Sequence, residues 1–246
     1  GADELFAGYG PFRLLRAAPA IAAIPAALGR LARWTMQALP HREGYMSLDF
    51  LARQLSQGAG VPTDLQWQAF MSPFPPEMIR QLVPDSGSAA AGGTIAGPDP
   101  LEPWRREAAG RDPVDRLSLM FLRTYMPGQI LTKVDRASMY NSLEVRAPFL
   151  DRRLAERALS LPSRFKVAGG VTKAVLRRIG VKLLPREVTN RPKQGFAPPI
   201  SAMMRGPLRE LVGDVLSARD HPLDGWLDQA TVMRLWDEHQ SRRRDH

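Results

Sequence analysis

Apolar residues recur along most of the chain at the three- and four-residue spacing of helices that bury one face. Residues 12–38 follow this spacing between prolines, and Leu28, Leu31 and Trp34 are expected to point inward. The spacing returns over residues 117–141 and through the last fifth of the chain. Because no convincing run of alternating strands appears, the pattern predicts a mainly helical segment.

Prolines, glycines and small polar residues mark the expected ends of these helices. Pro127 and Gly128 are expected to end one helix before a second one begins. Asp151 is a good N-cap for a helix that runs to about Ser160. Thr172 is expected to cap the helix after it.

Two segments have the composition of loops. Residues 84–103 are rich in Gly, Pro, Ala and Ser, which predicts a flexible loop or a linker between lobes. Residues 191–200 form a second irregular stretch. The longest apolar run, residues 17–29, is broken by two prolines and is too short to cross a bilayer, so no membrane association is expected.

The segment LEVRAPFLD, residues 143–151, differs from its helical surroundings. Pro148 disfavours the helical conformation in the residue before it, so the segment is expected to be extended. Alternate residues of an extended chain share a face, which places Glu144 and Arg146 together. They form either a structural ion pair or, if buried, a site where Glu144 orients or deprotonates an amine or ammonia.

The charge is strongly positive, with a formal net charge of +9 that comes mostly from arginine. Such a balance favours anionic partners, although the basic residues are scattered rather than clustered. The chain contains no cysteine, which excludes a disulfide framework, a thiolate metal site and a cysteine nucleophile in this segment. This composition fits a cytoplasmic protein.

Four further charged residues are candidates for chemistry. Asp3 and Glu4 follow a Gly-Ala pair where a loop enters a helix; they either complement the helix dipole or help to hold Mg²⁺ beside phosphates. Lys173 is expected in the first turn of a helix, where a cation is unfavourable unless an anion such as phosphate binds there. Lys193 lies between Pro192 and Gly195, in a loop that could cover an active site or simply connect two elements.

Four strings occur in the order that is expected of one family. They are GADELFAGY at residues 1–9, LTKVDRASMYNSLEVRAPFLD at 131–151, KAVLR at 173–177 and RPKQGF at 191–196. Together they resemble the C-terminal synthetase domain of glutamine-dependent asparagine synthetases. The clear resemblance covers residues 1–16 and about 115–210.

The resemblance implies a fold and a larger context. Residues 1–246 would be the helical C-terminal portion of an α/β domain of the ATP-pyrophosphatase type, which is adenine nucleotide α-hydrolase-like. Most of its parallel strands, its pyrophosphate-binding loop and an N-terminal glutaminase domain would precede Gly1. The segment alone is then expected to be inactive, and the complete protein could form a homodimer.

The resemblance also implies a reaction, in which ATP adenylates the aspartate side chain and ammonia from glutamine forms the amide. Asp3 would hold Mg²⁺, and Lys173 would contact the α-phosphate or pyrophosphate. Glu144 matches a catalytic glutamate of the related β-lactam synthetases, and Arg146 would orient Glu144 or bind the substrate carboxylate. The nucleotide-binding residues would be Gly1, Ala2, Glu4 and Lys193.

Two alternatives stay open. The same fold could act on another carboxylate, as in a β-lactam synthetase-like enzyme or an amidotransferase that modifies cell-surface polysaccharide. A basic helical nucleic-acid-binding module is disfavoured, because it would cluster its basic residues and interleave them with aromatic ones.

Overall fold

The computed structural model describes most of the chain, in two compact units. The described residues are 1–38, 52, 55–63, 65–71, 74, 76–83, 101–191, 198–218 and 225–242. The first unit comprises Gly1–Ala18 and Asp99–Lys193, and the second comprises Pro19–Pro98 and Gln194–His246. Lys193 and residues 84–100 of the predicted loop lie outside the described residues.

Helices dominate the described residues, as the sequence predicts. In chain order they are α1 (Ala2–Leu5), α2 (Gly10–Leu14), α3 (Ala18–Ala22), α4 (Ala26–Ala38), α5 (Gln66–Met71), α6 (Pro76–Leu82), α7 (Glu102–Ala108), α8 (Pro113–Met120), a π-helix (Phe121–Leu131), α9 (Thr132–Tyr140), a 3₁₀ turn (Pro148–Leu150), α10 (Arg152–Ser160), α11 (Ser163–Lys166), α12 (Ala174–Leu183), α13 (Arg186–Thr189), α14 (Ile200–Arg205), α15 (Arg209–Ser217) and α16 (Gln229–Gln240). None of the described helices has the length and apolar character that crossing a bilayer requires.

The predicted N-cap at Asp151 is confirmed, whereas the predicted helix end at Pro127-Gly128 is wrong. The Asp151 side chain accepts the Leu154 N–H at 3.1 Å at the start of α10. Pro127 instead lies inside the π-helix, which continues directly into α9. Proline removes one backbone donor, and the wider π winding tolerates that loss without ending the helix. The Pro127 carbonyl accepts the Thr132 hydroxyl at 2.8 Å.

A short antiparallel hairpin, absent from the sequence prediction, leads into α12. Its strands are β1 (Val167–Ala168) and β2 (Val171–Thr172), with Val167 opposite Thr172. Gly169 and Gly170 have φ values of 58° and 83°, as a tight two-residue turn requires. Two-residue strands are too short to show alternation, so the pattern missed them. Thr172 therefore ends β2 and does not cap α12.

The core of the first unit joins its first residues to α10. Leu5, Phe6 and Ala158 are each at most 3% exposed and form one apolar cluster. Partly buried residues pack around it: Leu122, Ala155, Leu161, Val175 and Leu176. Burial of these side chains stabilises the contact of α1 with α10 and with the start of α12.

The second unit packs its helix α4 through small and polar positions. A Cβ on Gly29 would lie 2.7 Å from the Ala59 carbonyl oxygen, and Arg33 donates to that same oxygen at 3.2 Å. Gly29 and Arg33 share one face of the helix. Leu28, Leu31 and Trp34 lie on other sides and are 55–66% exposed, so their predicted inward orientation is wrong.

Candidate active site

Asp3 and Lys173, far apart in sequence, form an ion pair in the first unit. The Lys173 Nζ lies 2.9 Å from the Asp3 Oδ1. Both side chains are partly exposed, at 26% and 29%, so solvent and ligands can reach the pair. An ammonium and a carboxylate held this way can bind a phosphate and a cation respectively.

The backbone at Lys173 is fixed from two sides. Lys173 is the N-cap of α12, with φ 55° and ψ 35°, rather than a residue of its first turn as the sequence predicted. Its N–H donates to the Phe6 carbonyl at 3.1 Å, and the Arg177 side chain donates to the Thr172 carbonyl at 3.1 Å. A left-handed conformation costs a residue with a Cβ about 1–2 kcal/mol. Such local strain is typical of functional sites.

Gly8 leaves the space that the ion pair occupies. A Cβ at this position would lie 2.0 Å from the Asp3 Oδ1 and 2.3 Å from the Lys173 Cε. The Gly8 N–H also donates to the Asp3 carbonyl at 2.7 Å, which closes the turn after α1. Residue 8 therefore has to lack a side chain for Asp3 and Lys173 to meet as they do.

Glu4 is buried and contacts two groups of its own neighbourhood. It is 1% exposed; its Oε1 accepts the Tyr9 hydroxyl at 2.5 Å, and its Oε2 lies 2.6 Å from the Gly1 nitrogen. The contact from the fourth residue back to the N-cap nitrogen is one half of a capping box. Glu4 thus fixes the start of α1 and the position of Tyr9. Direct contact of Gly1, Ala2 or Glu4 with a nucleotide stays a prediction.

Aromatic residues pack around the Tyr9 ring. The Tyr9 ring lies 4.6 Å from the Phe121 ring and 5.6 Å from the Tyr125 ring, centroid to centroid. Burial, followed by the hydrogen bond and charge of Glu4, raises the pKa of the Tyr9 phenol above its ordinary value. Burial and the Glu4 and Asp3 carboxylates likewise raise the pKa of Tyr125. Both phenols therefore stay protonated at neutral pH and remain donors.

We expect the change Tyr9→Phe to lower the free energy of unfolding by about 1–3 kcal/mol, because it removes a donor from the buried Glu4 carboxylate. Denaturant unfolding of the complete protein measures this loss. Tyr140→Phe is the matched control, since Tyr140 is 92% exposed and should tolerate the change. Equal stability of both variants would contradict the role assigned to the contact with Glu4.

Glu144 and Arg146 lie on the surface rather than in a buried strand. Their side chains are 69% and 88% exposed, and they form an ion pair with each other. Within the described residues, neither shares a hydrogen bond or ion pair with Asp3, Glu4 or Lys173. Their catalytic roles stay predictions.

The residues after this pair nevertheless contact the start of the chain. The Phe149 ring packs edge-on against Phe6 at 6.0 Å, centroid to centroid. A Cβ on Gly1 would lie 3.0 Å from side-chain atoms of Phe149 and Leu150. The extended segment is thereby fixed beside α1.

The carboxylates near Asp3 would suit only a magnesium ion that takes most of its ligands from phosphate and water. No group of three His, Asp or Glu side chains in the described part of the chain could hold a metal. Asp3 offers one carboxylate, while the oxygens of Glu4 contact Tyr9 and Gly1. Magnesium beside a nucleotide commonly takes one or two carboxylates and completes its shell with phosphate and water. Asp3 fits that role.

Sequence reasoning found both members of the ion pair and missed the residues that shape it. Gly8, Tyr9 and Tyr125 have no charge pattern to mark them. The available signal for Gly8 and Tyr9 was their place at the end of the GADELFAGY string, just after the Asp3-Glu4 pair. Tyr125 reaches Tyr9 from the π-helix, in a segment where the sequence predicts the end of a helix.

Comparison with known proteins finds asparagine synthetases among the relatives. Residues 1–246 match the family Asparagine synthase. The chain is 26% identical over 246 residues to asparagine synthetase [glutamine-hydrolyzing] 1 of Bacillus subtilis, covering all of this chain and 37% of that protein. It is 33% identical over 247 residues to a putative asparagine synthetase of Mycobacterium bovis, covering 36% of it. A shorter match, 36% identity over 76 residues, covers 30% of the chain and 14% of asparagine synthetase from Gallus gallus.

No solved structure matches the chain. The chain spans little more than a third of the length of the bacterial relatives. The family match, in contrast, extends over every residue of the chain, including the segments that carry Asp3 and Lys173. The chain therefore belongs to the asparagine synthase family.

Proposed function

We propose that the complete protein is an ATP-dependent amidotransferase ligase that converts aspartate to asparagine. The proposal rests on the family and on the names of its relatives, which are glutamine-hydrolysing asparagine synthetases. The observation that carries it is the Asp3–Lys173 ion pair, which presents an ammonium and a carboxylate beside each other at an accessible surface. A cytoplasmic location is part of the same proposal.

The reaction that we propose has two steps. An oxygen of the aspartate side chain attacks the α-phosphorus of ATP, and the bond to the β-phosphate breaks to release pyrophosphate. Ammonia, derived from glutamine, then attacks the acyl carbon; AMP leaves, and nitrogen loses a proton. The products are asparagine, AMP and pyrophosphate. Negative charge develops on the leaving pyrophosphate in the first step and on the acyl oxygen in the second.

Lys173 would stabilise the charge that develops on phosphate. Its ammonium is a compact point charge with three donors, and the Lys173 backbone that carries it is held as the left-handed N-cap of α12. On binding, phosphate oxygens would replace Asp3 as its partner. Fixed donors that are aimed at developing charge supply a large share of catalysis in such steps.

Asp3 would supply the protein ligand to Mg²⁺ once Lys173 turns to phosphate. A bound magnesium ion would neutralise part of the triphosphate charge. Glu144 would remove the proton from the attacking nitrogen, and Arg146 would orient Glu144 or bind the substrate carboxylate. Lys193, outside the described residues, would add a second cation for the nucleotide, and Gly1 and Ala2 would contact it through their backbones.

Product analysis of the complete protein tests this function. With aspartate, ATP, Mg²⁺ and ammonium, we expect asparagine, AMP and pyrophosphate in equal amounts. Glutamine should replace ammonium in that mixture. Release of ADP and phosphate, or ATP cleavage that ignores aspartate, would contradict the proposal. AMP release that depends on a different carboxylic acid would favour a family member with another acceptor.

A further inference from the structure

Lys166 is a buried cation that none of the steps above uses. Its side chain is 0% exposed, and its Nζ lies 2.8 Å from the Asp115 Oδ1 on α8. Its helix α11 is tied to the same region a second time, because the Ser163 hydroxyl donates to the Asp112 carboxylate at 2.5 Å. Asp112 in turn caps α8 by accepting the Val114 N–H at 2.9 Å. The end of α11 is therefore fixed to the first turn of α8.

The hairpin brings this fixed point next to Lys173. Val167 is opposite Thr172 in the strand pairing, so Lys166 and Lys173 flank the open end of the hairpin. The chain passes from Lys166 through two two-residue strands and a two-glycine turn before it reaches Lys173. Any movement of Lys166 along α8 would be passed to Lys173 through this short pairing.

We propose that Lys166, through its ion pair with Asp115, is a positioning residue that sets the backbone of Lys173. The inference rests on the proposed function for what Lys173 does, but not for where Lys173 lies. A buried ammonium cannot shift from its carboxylate without leaving an unpaired charge inside the protein. Keeping the pair thus holds the end of α11 at one position against α8.

Two other contacts hold Lys173, and Lys166 complements them. The hydrogen bond from Lys173 N–H to the Phe6 carbonyl fixes the residue toward α1, and the Arg177 side chain holds the carbonyl of Thr172. Neither of them fixes the β1 side of the hairpin. Lys166 supplies that constraint, which a left-handed lysine needs because its conformation is not favoured locally.

Hydrogen exchange in the complete protein tests the positioning directly. We expect Lys166→Met to speed exchange of the Lys173 amide about tenfold, while amides of α10 change little. Asp115→Asn breaks the pair from the other side and leaves the buried Lys166 ammonium facing a neutral amide, so an effect at least as large on the Lys173 amide is expected. Lys182→Met, at an exposed site on α12, is the matched control. Unchanged protection of the Lys173 amide in a folded variant would overturn the inference.

Binding of inorganic pyrophosphate connects the inference to function. We expect Lys166→Met to weaken this binding about tenfold in the unaltered background and to have no further effect when Lys173→Ala is already present. A purely structural role would give equal losses in both backgrounds and would overturn the inference. If the unaltered protein does not bind pyrophosphate, the proposed function fails, and the exchange result still decides the role of Lys166.

Discussion

In the complete protein, Lys173→Ala is expected to abolish amide synthesis and to leave glutamine hydrolysis unchanged. The side chain carries the ammonium that we assign to the α-phosphate and pyrophosphate, and removal of one fixed donor of this kind costs about 100- to 1,000-fold in rate. The remaining structure should persist, because Lys173 is partly exposed and its ion pair contributes little to folding. Parallel assays of asparagine and glutamate formation measure both activities.

The matched control is Lys182→Ala, which removes an exposed lysine from the other end of the same helix. It should leave both activities near those of the unaltered protein. Equal loss of synthesis and glutamine hydrolysis in Lys173→Ala would mean that the change disturbs the whole protein. That outcome would remove Lys173 from the proposed site.

Gly8→Ala is expected to lower amide synthesis by tenfold or more at nearly unchanged stability. The added methyl group would overlap the Asp3 Oδ1 and the Lys173 Cε, which lie 2.0 and 2.3 Å from its ideal position. Both are atoms of flexible side chains, so they can move aside at a small cost in folding energy. The displaced ammonium then loses its alignment, and shifts of about 1 Å can cost up to about 100-fold in rate.

Gly10→Ala is the control for this prediction, because a Cβ at residue 10 meets no atom within 4 Å. It should keep full synthesis. Thermal unfolding shows whether either variant is destabilised, and steady-state kinetics with ATP gives the change in activity. If Gly8→Ala retains the unaltered rate, then close contact of Asp3 with Lys173 is not needed for the reaction.

The helical character and both partners of the ion pair could be predicted from the sequence. The helical spacing of apolar residues reflects burial of one face, and any helix that packs against a neighbour buries such a face. Asp3 and Lys173 could be predicted because each is a charged residue near a helix start and each lies in a string that resembles the family. The same local signals placed the Asp151 cap correctly, since an N-cap depends only on adjacent residues.

The contacts between distant segments could not be predicted in this way. The sequence predicts Lys173 in the first turn of α12. It is instead the N-cap, because the hairpin and the Phe6 carbonyl impose a left-handed conformation on it. The burial of Glu4 depends on Tyr9 and on the aromatic residues around it, which arrive from the π-helix. The exposure of Glu144 similarly depends on what packs near the extended segment. The alternation of apolar and charged residues along that segment does not determine it.

A structure of the complete protein with ATP and Mg²⁺ tests most directly whether Asp3 and Lys173 form one phosphate site. We predict that the ion pair is broken in this complex, with the Lys173 Nζ on a phosphate oxygen and Asp3 on the metal. Nucleotide bound elsewhere, with the 2.9 Å contact between Asp3 and Lys173 intact, would contradict the proposed site.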